Sequence, residues 1–128
     1  MAQVSRPLSP HLQIYRWPIT MAMSIVHRGS GIAITVGLLF LTWWLVALAR
    51  GPESFANVQW AMDNILGGLV LFGFTLAFFL HAATGVRHLI WDLGYGLEKQ
   101  SSIQTSYIVA GAAVALTLLT WIAILIAG

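Results

Sequence analysis

Hydrophobic and polar positions along this chain fall into long blocks rather than into a short alternation. Three stretches, residues 29–49, 64–86 and 100–128, contain no Asp, Glu, Lys or Arg. Each meets the roughly 20 predominantly apolar residues that a helix needs to cross a bilayer. Short polar segments separate them. The pattern predicts an all-α membrane protein with three transmembrane helices.

Local signals set the expected boundaries of these elements within a single domain, 1–128. The predicted segments are an N-terminal arm at 1–23, helices at 24–49, 64–93 and 106–127, and loops at 50–63 and 94–105. The first helix is expected to begin near Thr20 or Ser24. Asp63 is the predicted N-cap of the second helix, and Gly94 and Gly96 are expected to end it.

The basic residues are distributed unevenly between the two sides of the predicted membrane domain. The arm, the start of the first helix, the end of the second and the following loop hold Arg6, Arg16, Arg28, Arg87 and Lys99. The opposite side holds only Arg50, beside the Gly51-Pro52 pair that is expected to end the first helix. Segments on the cytoplasmic side keep more Lys and Arg. The amino terminus is therefore expected inside and the carboxyl terminus outside.

Composition narrows the classes of function. The chain has 128 residues, 59% hydrophobic and 8% charged, with a mean hydropathy of +0.84, which excludes a water-soluble globule. Neither loop could build a catalytic domain of its own. Six scattered basic residues form no nucleic-acid-binding patch, and without cysteine there is no thiolate metal site. Motifs of hydrolytic or phosphoryl-transfer enzymes are also absent from the sequence.

The arm itself does not resemble a secretory signal. It lacks the apolar core followed by small residues that such a signal needs, and its three prolines, Pro7, Pro10 and Pro18, interrupt any long amphipathic helix. We expect the arm to stay on the mature protein and to lie on the membrane surface.

Polar residues cluster where the first predicted helix enters the membrane. Ser24, His27, Arg28 and Gly31 are spaced so that they share one side of a helix. They could converge on one ligand. Arg28 could equally be an anchor in the lipid headgroup region, as could Arg87 near the end of the second helix.

The second predicted helix carries two histidines, His81 and His88, two turns apart. This spacing corresponds to about 10 Å of rise along one face, too far for both imidazoles to bind opposite sides of a single iron. Between them, Thr84 and Gly85 are small enough to admit a porphyrin, or to let helices pack closely. His81 lies too deep to reach water, so it is either a metal ligand or a hydrogen-bonded residue between helices.

Three segments together resemble a known family. These are residues 6–15 (RPLSPHLQIY), residues 24–31 (SIVHRGSG) and residues 81–92 (HAATGVRHLIWD). They are similar to the cytochrome b556 membrane anchors of succinate dehydrogenase, respiratory complex II, and the similarity covers the whole chain. The second segment alone would be weak, but its combination with the third at this distance is specific.

The resemblance implies a haem b site. By it, His81 is an axial ligand of the haem iron, and a histidine of a second anchor subunit is the other ligand. His27, Arg28 and His88 would approach the haem propionates. Leu80 departs from relatives that have tyrosine before the haem histidine, but it points about 100° away from His81 on the helix.

The resemblance also implies a ubiquinone site at Ser24, Ile25 and Arg28. The implied partners are the second anchor, an iron-sulfur subunit and a flavoprotein subunit, together with membrane lipid and no nucleic acid. The chain would carry electrons from succinate to quinone without holding the succinate site. The alternatives are a fumarate reductase anchor that uses a quinol, or a structural membrane protein that binds no haem.

The expected location is a bacterial inner membrane. Met1 stands only five residues before the first similar segment, which leaves no room for a cleaved presequence. A mitochondrial inner membrane is the alternative.

Overall fold

The computed structural model describes residues 18–128. The segment 6–15 and the basic residues Arg6 and Arg16 lie outside these residues. Four helices follow one another along the described chain, and no strand occurs among them: α1 (Ile19–Arg50), α2 (Pro52–Met62), α3 (Ile65–Asp92) and α4 (Lys99–Ala127). The all-α prediction is therefore confirmed.

Three of the helices, α1, α3 and α4, are long and apolar enough to cross a membrane. The shortest of them, α3, has 28 residues and so spans about 42 Å, against about 30 Å of bilayer hydrocarbon. Most large apolar side chains of these helices are exposed. Such a surface is stable in lipid or against another membrane chain, because neither offers the water that would disfavour it.

The helix α2 lies where the sequence predicts a loop at 50–63. Gly51 separates it from α1 with a φ of +110°, and Pro52 occupies its first turn, where a missing N–H costs nothing. Val58 is completely buried, and the ring of Phe55 packs 5.7 Å from that of Trp44 on α1. One short apolar face is enough to fold this polar segment onto α1.

Two further boundaries differ from those predicted. Asn64, rather than Asp63, caps α3: its side chain accepts a hydrogen bond from the backbone N–H of Gly67 at 2.9 Å. The fourth helix begins at Lys99, not at residue 106. Ser102, in this first part of α4, accepts hydrogen bonds from Arg87 of α3, as described below.

The core is thin and lies along α3. α4 presents to it a line of small or polar buried residues, Ser106, Val109, Ala113 and Thr117, at the three- and four-residue spacing of a helix face. Close backbone approach at small residues is the usual way that transmembrane helices associate. On the opposite side of α3, Phe74 lies against Gly37 of α1, where an added Cβ would stand 3.3 Å from its ring.

Replacing Gly67 by Ala is expected to destabilise the junction of α2 and α3. A Cβ there would lie 2.4 Å from the backbone oxygen of Ala61 and 2.6 Å from that of Met62, so backbone must move, at about 1–3 kcal/mol. The matched control is Gly68→Ala, whose Cβ meets nothing within 4 Å. The measurement is the thermal midpoint of the detergent-extracted protein, and equal midpoints for the two variants would contradict the prediction.

Candidate functional site

Three histidines form a column between α1 and α3 at the N-terminal end of the bundle, where α1 begins and α3 ends. The ring of His27 stacks on that of His81, with centroids 4.2 Å apart and an angle of 8° between the planes. The ring of His88 lies 5.1 Å from His27 on its other side. The structure therefore inserts a residue of α1 between the two histidines of α3. We call His27, His81 and His88 the histidine column.

Hydrogen bonds assign the tautomer of each histidine in the column. Nδ1 of His81 lies 3.2 Å from the backbone oxygen of His27 and 3.2 Å from the hydroxyl of Ser30. A carbonyl oxygen only accepts, so Nδ1 of His81 carries the proton. By the same argument Nδ1 of His88 donates to the backbone oxygen of Thr84, at 2.8 Å. In neutral His81 and His88 the other ring nitrogen, Nε2, is then free of a proton.

Thr84 holds His27. The threonine is 1% exposed, and its hydroxyl donates to the backbone oxygen of Leu80 at 2.6 Å. A hydroxyl has one proton to give, so its contact with Nδ1 of His27 is one in which the imidazole donates. Thr84 thus joins α3 to α1 and does not line an open space beside α3.

Gly31 and Gly85 differ in what surrounds them. An added Cβ at Gly31 would lie 3.1 Å from Cε1 of His81, so this glycine gives the ring its space on the side of α1. A Cβ at Gly85 would meet nothing within 4 Å. Gly85 lies about 40° from His81 around α3. Of the two small residues between His81 and His88, only Gly85 leaves the backbone open.

The shared face proposed for the start of the first helix is divided in the structure. His27 and Gly31 turn towards α3, whereas Ser24, Ile25 and Arg28 are exposed on α1. The division arises because α3 covers only a narrow strip of α1. Ser24 and Arg28 are one turn apart and remain neighbours on the surface. Both side chains are exposed on the outer surface of the described bundle.

Arg87 lies in surroundings that its position in the sequence did not indicate. The sequence leaves it open as a membrane-surface anchor, but it is 4% exposed. Its terminal Nη2 donates to the backbone oxygen and the hydroxyl of Ser102, and its guanidinium stands 4.1 Å from the ring centroid of Trp91. The Trp91 ring is the surface on which the guanidinium packs. The spacing of Arg87 and Trp91 places them one turn apart on α3, but nothing in the sequence showed that α4 would cover Arg87.

No group of three His, Asp or Glu side chains is arranged to hold a metal ion within residues 18–128. The stacked rings of His27 and His81 present their faces to each other, whereas the lone pair of Nε2 lies in the plane of each ring. These two histidines therefore cannot bind opposite sides of one iron in this arrangement. Any metal bound by His81 needs ligands from elsewhere.

Comparison with known proteins gives consistent matches over nearly the whole chain. A family model described as the succinate dehydrogenase/fumarate reductase transmembrane subunit matches residues 2–120. The chain is 42% identical over 118 residues to the succinate dehydrogenase cytochrome b556 subunit of Paracoccus denitrificans, covering 92% of this chain and 91% of that protein.

Two relatives bear the name succinate dehydrogenase cytochrome b560 subunit. That of Reclinomonas americana is 36% identical over 124 residues, covering 93% of this chain and 86% of the relative. The mitochondrial protein of Sus scrofa is 39% identical over 109 residues, covering 82% of this chain and 63% of the relative. With three candidate spans and relatives of bacterial and mitochondrial origin, the chain is an inner-membrane protein.

Thr84→Val is expected to loosen the contact between α1 and α3. It keeps the shape of the side chain but leaves Nδ1–H of His27 without its acceptor, which costs about 1 kcal/mol or more. Thr117→Val is the matched control, because that threonine is equally buried and its hydroxyl bonds only the Ala113 carbonyl within its own helix. Thermal midpoints in detergent should fall for the first variant, stay near wild type for the second, and recover in Thr84→Ser. Equal losses in both valine variants would contradict the role of Thr84.

Proposed function

Because the chain belongs to the succinate dehydrogenase/fumarate reductase transmembrane subunit family, we propose that it is a succinate dehydrogenase membrane anchor that binds haem b and ubiquinone. Its relatives are named as subunits of an enzyme complex, so its part in the reaction is to bind the electron carriers and not succinate. Those names also favour succinate oxidation over fumarate reduction as the direction. The partners of the proposal are a second anchor, an iron-sulfur subunit and a flavoprotein subunit.

The observation that carries the haem proposal is the tautomer of His81. Its Nδ1–H is held by the α1 backbone, which fixes the ring orientation and makes Nε2 the available ligand atom. Metal-binding histidines typically donate their second ring N–H to such an acceptor. Beside it, Gly85 leaves an open approach to the α3 backbone for a flat ring. The residues present therefore fit a haem whose iron His81 would bind.

A second ligand of the haem iron would come from the partner anchor. Of the histidines among residues 18–128, His27 is stacked face to face with His81, and His88 is two helical turns away. A bound b-type haem exchanges one electron at a time. The protein's task is to hold it at a fixed orientation in a dry environment, which the apolar surfaces of α1 and α3 provide.

His27, His88 and Arg28 are proposed to lie near the haem propionates. His27 and His88 follow His81 towards the N-terminal end of the bundle, and Arg28 is exposed at the same level of α1. Imidazole N–H groups and a guanidinium would bind and compensate two carboxylates that are otherwise costly in a membrane.

Ser24, Ile25 and Arg28 are proposed to bind ubiquinone. All three are exposed, so a quinone enclosed by a second chain could reach them. The Ser24 hydroxyl would donate to a quinone carbonyl, and Arg28 would stabilise negative charge that develops on that oxygen as electrons arrive. Ile25, 43% exposed, would form an apolar wall. In this proposal the amino terminus lies on the inner side of the membrane, as the distribution of Lys and Arg along the sequence indicates.

His81→Ala is expected to remove the haem from the assembled complex. It removes the imidazole that would bind the iron and leaves a small gap beside Ser30 and Gly31. The reduced b-type absorbance band should disappear, whereas His88→Ala should keep it, because His88 would lie near the propionates and would not bind the iron. Flavin content and succinate oxidation with an artificial acceptor serve as controls for assembly. A full haem complement in His81→Ala would refute the ligand assignment.

Ser24→Ala and Arg28→Leu are expected to slow quinone reduction while succinate oxidation with an artificial acceptor persists. A hydrogen bond of about 0.5–1.5 kcal/mol corresponds to roughly a 2- to 13-fold slower reaction for Ser24→Ala. Arg28→Leu should be slower still, because it removes a charge. Arg50→Leu, at the other end of α1, controls for loss of an arginine, and haem content in each variant separates the two sites. Wild-type quinone rates in both variants would show that the quinone binds elsewhere.

A further inference from the structure

Arg87 is a buried cation without a carboxylate partner among the described residues. It is 4% exposed, and no ion pair joins it to any acidic side chain of residues 18–128. Its Nε atom is buried without a hydrogen-bond partner there. Burying a charge in this way is costly. A residue with only an anchoring role would avoid that cost by extending to the membrane surface.

The contacts of Arg87 join α3 to the start of α4. Nη2 donates to the backbone oxygen of Ser102 at 3.1 Å and to its hydroxyl at 3.2 Å. The same backbone oxygen accepts the hydroxyl of Ser106 at 2.8 Å. Ser106 is completely buried. The guanidinium therefore binds the most polar point of the interface between the two helices.

Trp91 extends this contact to the turn and to the histidine column. One face of the Trp91 ring receives the guanidinium, and its Nε1 donates to the backbone oxygen of Gly96 at 3.1 Å. Gly96 has a φ of +69°, a left-handed conformation that glycine adopts without strain. The Trp91 ring also lies 5.2 Å from that of His88, with 63° between the planes. A continuous series of contacts thus runs from α4 to His88.

The Arg87 side chain points away from the side of α3 where His81 lies, so Arg87 has no direct role at the haem site. Six residues after His81, Arg87 points about 120° away around α3. It faces α4, whereas His27 of α1 covers the His81 side. Arg87 can therefore affect the histidine column only through what it packs against.

We propose that Arg87 is a positioning residue that locks the end of α3 to α4 and, through the ring of Trp91, fixes the ring of His88. The inference rests on the proposed function in one respect, that His88 lies beside a bound haem. The planar guanidinium is needed, because it stacks on Trp91 while donating to two acceptors of Ser102. An ammonium group has no plane to stack on the ring and no rigid fork of donors, so it cannot reproduce this arrangement.

Arg87→Lys in the intact complex is the decisive variant, because it retains the charge and a membrane anchor would tolerate it. Arg87→Gln removes the charge as well, and Arg50→Lys is the matched control at an exposed arginine. The first readout is hydrogen exchange of the backbone amides at 94–102, and the second is the midpoint potential of the haem. We expect both Arg87 variants to exchange about tenfold faster in this segment. Both should also shift the haem potential in the same direction as His88→Gln, whereas Arg50→Lys changes neither quantity.

A double-variant cycle tests whether the effect passes through His88. If it does, Arg87→Lys in a His88→Gln background shifts the potential no further than His88→Gln alone. Fully additive shifts, or an Arg87→Lys protein with wild-type exchange and potential, would overturn the proposal. A wild-type complex without haem would instead refute the proposed function, and the exchange comparison would still decide whether Arg87 joins α3 to α4.

Discussion

The imidazole N–H of His81 lies within a membrane-spanning helix and needs a hydrogen-bond acceptor from the protein. The arrangement of the histidine column depends on this hydrogen bond. The acceptors come from α1, as the backbone oxygen of His27 and the hydroxyl of Ser30. Ser30 is itself 6% exposed and also donates to that backbone oxygen. Because both acceptors belong to one turn of α1, they fix the height of α1 against α3. The absence of a side chain at Gly31 lets the ring come this close.

With α1 at that height, α3 makes its other polar contacts on two sides, one towards α1 and one towards α4. Thr84, one turn further, meets His27. Arg87, pointing the other way, meets Ser102 of α4. The helix is thus held on two faces by hydrogen bonds and small residues, which is how helices associate where lipid removes the hydrophobic driving force. The surface at Gly85, about 40° from His81 around α3, stays open.

The open face explains why one chain is insufficient for the proposed chemistry. In that proposal His81 would supply one ligand of the haem iron, and the exposed Ser24, Ile25 and Arg28 would form one wall of a quinone pocket. In the same proposal, the second anchor would cover these surfaces and supply the rest. A site shared between two chains has a physical advantage, since it is completed only on assembly and no reactive carrier is then left open to lipid or water.

Hydrophobic block length was enough to indicate three membrane-spanning helices, because the thickness of the bilayer imposes that length on any sequence. The residue types and spacings were likewise enough to single out His81, since a histidine deep in an apolar helix must have a partner. Sequence gave less guidance on α2. Its residues are polar enough for a loop, and the packing of Val58 and Phe55 in the folded protein accompanies their helical conformation.

Which side chains meet was decided by the tertiary structure alone. Ser24, His27, Arg28 and Gly31 share a helix side by their spacing, yet a neighbouring helix covers only part of that side and divides them. Arg87 and Arg28 are equivalent in the sequence as basic residues near a membrane boundary. One is buried and the other exposed, because α4 crosses α3 at Arg87 and nothing in the described bundle crosses α1 at Arg28. Spacing determines the direction of a side chain from its own helix, and the packing of other helices determines what it finds there.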